Sequence, residues 1–368
     1  MSDSIQKPPR TLDPFDNPTE CHDYNTDYSD IVPQIVLPEY TPPVIPTAEE
    51  TKKIRKSYNI AGGGLLLHLV ATQMLATLAY LIVSLLLGFF DGRRGELPGN
   101  YAQLQEQYIN DSSIMMAIQL IILTIANPLI ALIGCKMAHI KPQTLFRPLK
   151  ISVGSMLRYI GVGLFLQTVA AMLAMLAEQL CTGIGIEPYE ADFSTGTDPL
   201  KIAATVFCTC IIAPLTEELL YRGFFMKAMS RVSQRFAIFT SALFFGIVHE
   251  NLSQFILAFL LGILLGYVTT KYNSLIPAMV IHFTVNAYSM TISLLYEFNE
   301  TAGNVFSTIT MLMILLGGAA LFIFTCVIER LPDNTPHQSI RSGRIAVTSW
   351  SLILTAVLHI TFAVIYCL

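Results

Sequence analysis

Two adjacent carboxylates and an arginine interrupt a stretch otherwise fit for hydrocarbon. After "IAATVFCTCIIA" the chain reads "PLTEELLYRG", which brings Glu217, Glu218 and Arg222 into one segment. Two nearby apolar segments carry "FGIVH" (245–249) and "HFTVN" (282–286). Ionisable groups at membrane depth are costly and face a bundle interior. On a helix Glu218 and Arg222 are spaced i,i+4 and can meet as an ion pair. Glu217 points about 100° away. It lacks a partner on its own helix and is free to take and give protons. Phe245 precedes His249 by one turn, and His282 shares a face with Asn286. A free carboxylate and two imidazoles at one depth can activate water and stabilise an oxyanion.

These residues need helices to hold them. Of 368 residues 53% are hydrophobic and 13% charged. Several apolar runs reach the roughly 20 residues that cross a bilayer. The composition excludes an ordinary soluble domain. The expected fold is all-α, a polytopic transmembrane bundle of eight or nine spans with the active site inside it. Candidate spans cover 59–90, 114–135, 157–181, 200–226, 236–250, 252–270, 275–296, 304–328 and 346–367. The fifth is short for a crossing. Asn127-Pro128 predicts a kink in the second. Asn273-Ser274 and Pro277 read as the cap and early-turn proline of the seventh.

Lysines and arginines set the expected orientation. "TKKIRK" precedes the first span, and bases follow the second, fourth, sixth and eighth. They fall on one side if every segment crosses, which predicts a cytoplasmic N-terminus. Arg93 and Arg94 are the exception. Residues 1–50 hold ten acids against two bases and many prolines. Such a stretch reads as a disordered acidic tail, and no cleavable signal peptide is visible there. The expected organisation is this tail at 1–50, N-terminal helices over 51–199, a catalytic core at 200–296 and C-terminal helices over 297–368.

Counting residues from the span ends puts Glu217, His249 and His282 roughly 10–20 Å below one surface, at 1.5 Å per residue. His68, His139 and His359 read as structural. "VHEN" (248–251) lacks the second histidine of a zincin helix. Gly262 and Gly266 read as a close-packing pair. The scattered cysteines, with no CxxC among them, read as buried hydrophobes.

"EELLYRG", "FGIVH" and "HFTVN" resemble, in order, the EExxxR, FxxxH and HxxxN signatures of the CPBP intramembrane proteases. That group includes the CAAX prenyl endopeptidases and the bacteriocin-processing and self-immunity (Abi) proteins. The resemblance covers about 200–296, a quarter of the chain. It implies that Glu217 is the catalytic glutamate, that His249 helps it activate water, and that His282 and Asn286 stabilise the oxyanion. Glu218, Arg222 and Phe245 fall at supporting positions. The substrate implied is a peptide or lipidated protein met among membrane lipids, with no nucleic acid partner. The chain's size fits a bacterial plasma-membrane member. The family has been described both as glutamate proteases and as metalloproteases. The residues favour the first, without a cofactor. A divalent metal such as zinc would fall to Glu217, His249 and His282. Two other functions fit the intramembrane charges: a proton-coupled transporter, and a non-catalytic immunity or scaffold protein. Against the transporter, no inverted repeat is visible.

Overall fold

The computed structural model describes residues 48–94, 112–148, 151–186, 188, 196–230, 233–329 and 342–367. The acidic tail therefore lies outside the described residues as far as 47. Its last three positions instead open the first helix, with Glu49 and Glu50 in the first turn, where the helix dipole favours acids.

Among the described residues every regular element is helical. The main helices are α1 (Ala48–Arg94), α2 (Ser112–Met137), α3 (Val153–Gly183), α4 (Pro199–Met229), α5 (Gln234–Ile247), α6 (Leu252–Tyr272), α7 (Ile276–Phe298), α8 (Glu300–Ile328), α9 (Ser342–Ala346) and α10 (Trp350–Cys367). All but α5, α9 and α10 are long and apolar enough to cross a membrane. The polytopic bundle stands, with seven such helices among the described residues where eight or nine were expected. The fifth segment is a helix of only 14 residues. The last starts four residues later than expected, as α10, after a turn in which the hydroxyls of Thr348 and Ser349 both bond back to the Ile345 carbonyl.

Side-chain caps explain where α4, α5, α6 and α8 begin. Asp198 accepts from Leu200 N at 3.0 Å, with Pro199 at the first helical position of α4. Ser233 opens α5 by accepting from Phe236 N, and Asn251 opens α6 by accepting from Gln254 N. Asn299 caps α8 through Ala302 N. Each oxygen satisfies an amide that the helix leaves without a partner. Asn273 ends α6 in the left-handed region at φ 46° rather than capping α7. Ser274 does bond Ile276 N, and Pro277 lies in the first turn of α7.

α4 runs through the middle of the bundle, against α1, α2, α5, α6 and α7. Its Phe224 is fully buried between Gly64 of α1 and Gly134 of α2. A Cβ on either glycine would lie 2.3 to 2.5 Å from the ring, so only glycine permits this approach. One apolar core surrounds Phe224, Phe225 and Met226, and a second joins Tyr159 and Val162 of α3 to Leu264, Ile281 and Val285. The large apolar side chains left exposed, such as Met74, Leu85 and Leu316, suit a lipid solvent.

Candidate active site

α4 is not a uniform α-helix. Two π-helical stretches, Phe207–Ile212 and Leu219–Met226, flank the α-turn Ala213–Glu218. Such bulges occur often at functional sites. In the first, Ala213 N donates to Cys208 O, five residues back. The next donor in that register would serve Thr209 O, but it belongs to Pro214, which has no N–H. Thr209 O is thus left for another partner, and Asn286 Nδ2 donates to it at 2.8 Å. A lone proline and a wide turn therefore tether α7 to α4.

Glu217 and Glu218 part company as the spacing predicts. The Glu218 side chain is 0% exposed, and its Oε1 accepts from Arg222 Nη1 at 2.8 Å. The Glu217 side chain remains 17% exposed. Arg222 also donates from Nη2 to Gly262 O at 3.3 Å and lays its guanidinium over the Phe245 ring, 4.3 Å from the centroid. A Cβ on Gly262 would meet Ala242 at 3.0 Å and Arg222 Nη2 at 3.1 Å. The glycine pair of α6 thus serves packing, as expected, and also makes room for the arginine.

His282 lies between the two glutamates. Its Nδ1 is 3.0 Å from Glu218 Oε1, and its Nε2 is 3.9 Å from Glu217 Oε2, too far for a hydrogen bond. An ionised Glu218 can only accept, so Nδ1 carries a proton. A neutral ring then turns a bare Nε2 toward Glu217. His249 is fixed in the same sense, because its Nδ1 donates to Phe245 O at 2.7 Å, which leaves Nε2 as a base. The segment expected to carry His249 on a helix ends earlier. α5 stops at Ile247, and His249 sits in the following turn, closed by its N–H to Gly246 O. The two imidazoles meet the Phe245 ring edge-on, at 5.2 Å and 5.8 Å. Phe245 therefore spaces both histidines while it bears Arg222 on its face, a larger part than its supporting position suggests.

Some polar residues gain partners that were not foreseen. His68 Nε2 donates to Asn127 Oδ1 at 2.6 Å, and Asn127 Nδ2 donates to Thr216 Oγ1 at 3.1 Å. This buried chain braces the residue just before Glu217. Asn127, expected only at a kink, thus pairs across two helices. His359, read as structural, donates Nδ1 to Glu250 Oε1 at 2.9 Å. Glu250 holds a φ of 52°, beside His249. His68 and His359 do serve structure, but as bonded groups rather than isolated ones. The polarity of Asn127 and Glu250 inside apolar runs was the signal available for both pairs. Among the described residues no three His, Cys, Asp or Glu side chains are grouped as a metal ion requires. The donor set expected for zinc is not drawn together in that way.

Comparison with known proteins bears on this region. Residues 199–288 match the family described as type II CAAX prenyl endopeptidase Rce1-like. The chain is also similar to the UPF0177 protein YxdF of Lactococcus lactis subsp. lactis (strain IL1403), at 31% identity over 90 residues. That alignment covers 24% of this chain, and the chain spans only half the length of this relative. No solved structure matches. The matched segment runs from the start of α4 through Asn286 and takes in every residue of the expected site. The family points to a protease. Residues 199–288 of this polytopic membrane protein are thus similar to the family of Rce1-like type II CAAX prenyl endopeptidases.

Proposed function

We propose that the chain is an intramembrane endopeptidase that hydrolyses a peptide bond of a membrane-associated or lipidated substrate without a metal. Glu217, assisted by His249 through Nε2, takes a proton from water. The resulting hydroxide attacks the peptide carbonyl. Asn286 keeps one Nδ2 hydrogen beyond its bond to Thr209 and offers it to the oxyanion. His282 joins it when Nε2 is protonated, and Glu218 under Nδ1 stabilises that imidazolium. Glu217 then returns its proton to the leaving amine as the C–N bond breaks. The basic ends of α4 and α6, at Lys227 and Lys271, face the cytoplasm in this reading.

The observation that carries the reading is the position of His282 between the two glutamates, bonded to one that is sealed and salt-bridged and 3.9 Å from the other, which is partly open. A purely structural ion pair needs only Glu218 and Arg222. The open acid and the bare imidazole nitrogens are surplus to it and suited to proton transfer.

The test compares purified protein with its Glu217→Gln variant on a mixed library of prenylated and unprenylated peptides, read by mass spectrometry. Products from the unaltered protein alone, surviving chelator, are expected. Activity lost in chelator and restored by zinc would replace the metal-free mechanism. Identical profiles from both proteins would sink the assignment of Glu217.

A further inference from the structure

The turn that carries His249 is held from a helix outside the matched segment. α5 ends at Ile247, and Glu250 N donates to Ile247 O at 3.1 Å to close the turn. Glu250 then takes a φ of 52°, and the chain passes on to the extended Asn251, the cap of α6. The other described non-glycine residues with positive φ are His139 and Asn273. Histidine and asparagine enter this region more readily than most residues. A glutamate gains nothing there from its own backbone. Such a conformation persists where the surroundings impose it, and an outlier of this kind points to a function.

What holds Glu250 comes from α10. His359 Nδ1 donates to Glu250 Oε1 at 2.9 Å, and both side chains are largely buried. A carboxylate among apolar helices needs such a partner. α10 presents the imidazole on a polar stripe, Ser351, Thr355 and His359, spaced i,i+4,i+8 along one face. Ser351 Oγ donates to Asn59 O at 3.0 Å, and Thr355 Oγ1 donates to Gly62 O at 3.1 Å. A Cβ on Gly62 would lie 2.5 Å from Leu352 N, so α10 rests directly on the backbone of α1. These contacts fix the register of α10 against α1, and with it the height of His359. We propose, resting on the hydrolytic reading above, that His359 is a positioning residue for His249. It touches no reacting atom. Its bond to Glu250 ties the turn to α10 and thereby fixes the imidazole one residue earlier. The working site thus draws on the last helix, well beyond residue 288, where the family match ends.

The test uses the purified full chain in detergent and reads three things: steady-state kinetics on a cleaved peptide, Tm, and hydrogen exchange over residues 246–252. In His359→Leu kcat should fall about ten- to a hundredfold with KM little changed, the loss expected when a working group is displaced. Exchange over 246–252 should quicken. The turn itself should stay formed, because Asn251 still caps α6 and Ser253 still bonds Glu178. His359→Asn keeps an amide donor close to the place of Nδ1 and should retain most of kcat. Glu250→Gly removes the carboxylate yet accepts the left-handed backbone. Its Tm should stay near that of the unaltered protein while kcat falls as in His359→Leu. Combining the two substitutions should lower kcat no further than either alone. Unchanged kcat in His359→Leu or Glu250→Gly would overturn the proposal. So would equal losses in the Leu and Asn variants, or additive losses in the double variant. Should the unaltered protein cleave no peptide, the hydrolytic reading alone would fall. Exchange would then decide the tether, and an unaltered rate over 246–252 in His359→Leu would refute it.

Discussion

Asn286 Nδ2 donates to Thr209 O at 2.8 Å because Pro214 has no hydrogen to offer that carbonyl. The bond orients the amide proposed to meet the oxyanion. Replacing Pro214 with alanine supplies the missing N–H, which then competes for Thr209 O. The expected result is a fall in kcat of about tenfold with KM little changed, against the roughly 10²–10³-fold that losing an oxyanion donor costs. Steady-state kinetics on a cleaved peptide would check it. A variant with unaltered kcat would show that the tether does not position Asn286.

The Glu218–Arg222 pair is fully buried. Removing one member strands a charge, so Arg222→Ala should cost about 3–5 kcal/mol of stability. Replacing both, as Glu218→Leu with Arg222→Met, should recover most of that in thermal unfolding. Proteolysis should stay low in the double variant, since His282 Nδ1 then has no acceptor beneath it. Recovery of both stability and activity would reduce the pair to packing.

Glu329 follows α8, and its carboxylate gathers α3 and α6. It takes bonds from Arg158 and Tyr159, from Tyr267 at 2.9 Å and from Lys271 at 2.8 Å. Burial pushes this carboxyl up, but the bonds from Lys271, Tyr159 and Tyr267 more than reverse that and hold it below the usual range. A carboxyl held low contributes its full stability above its unfolded pKa, about 4.3. It loses that contribution as pH falls through the folded value. Tm should therefore drop on acidification below about pH 4 in the unaltered protein. Glu329→Gln should be less stable near neutrality by about 1.5–3 kcal/mol and show a flatter acid limb. Parallel pH profiles would rule out the linkage.

Gly262→Ala sets two effects against each other. Alanine favours a helix over glycine by about 1 kcal/mol. The new Cβ meets Ala242 at 3.0 Å and Arg222 at 3.1 Å, and overpacking costs about 1–3 kcal/mol. Net destabilisation is expected, with partial relief from adding Ala242→Gly. A double-mutant cycle of unfolding free energies would measure the coupling. Additive effects would mean that the two helices do not press on one another there.

What could be read from the sequence followed the cost of charge in hydrocarbon. Glu217, Glu218, Arg222, His249 and His282 stood out because apolar neighbours make each expensive, and helical spacing alone separated the paired acid from the open one. The Thr209 carbonyl was invisible, since every residue has one. Only Pro214 marked it, and then only with the π turn in view. The partnerships of His68 with Asn127 and of Glu250 with His359 span 59 and 109 residues, beyond any local pattern. The end of α5 before His249 was misjudged because apolar composition continues through Val248, while the turn is set by Glu250 adopting a left-handed backbone.

Phe245 carries no proton and no charge, yet both imidazoles and the guanidinium take their positions from its ring. A relative that retained all the acids and bases but had leucine at this position would pass a census of catalytic groups. It would have lost the ruler between them. Degenerate members of such a lineage are better recognised at the aromatic position than by counting glutamates and histidines.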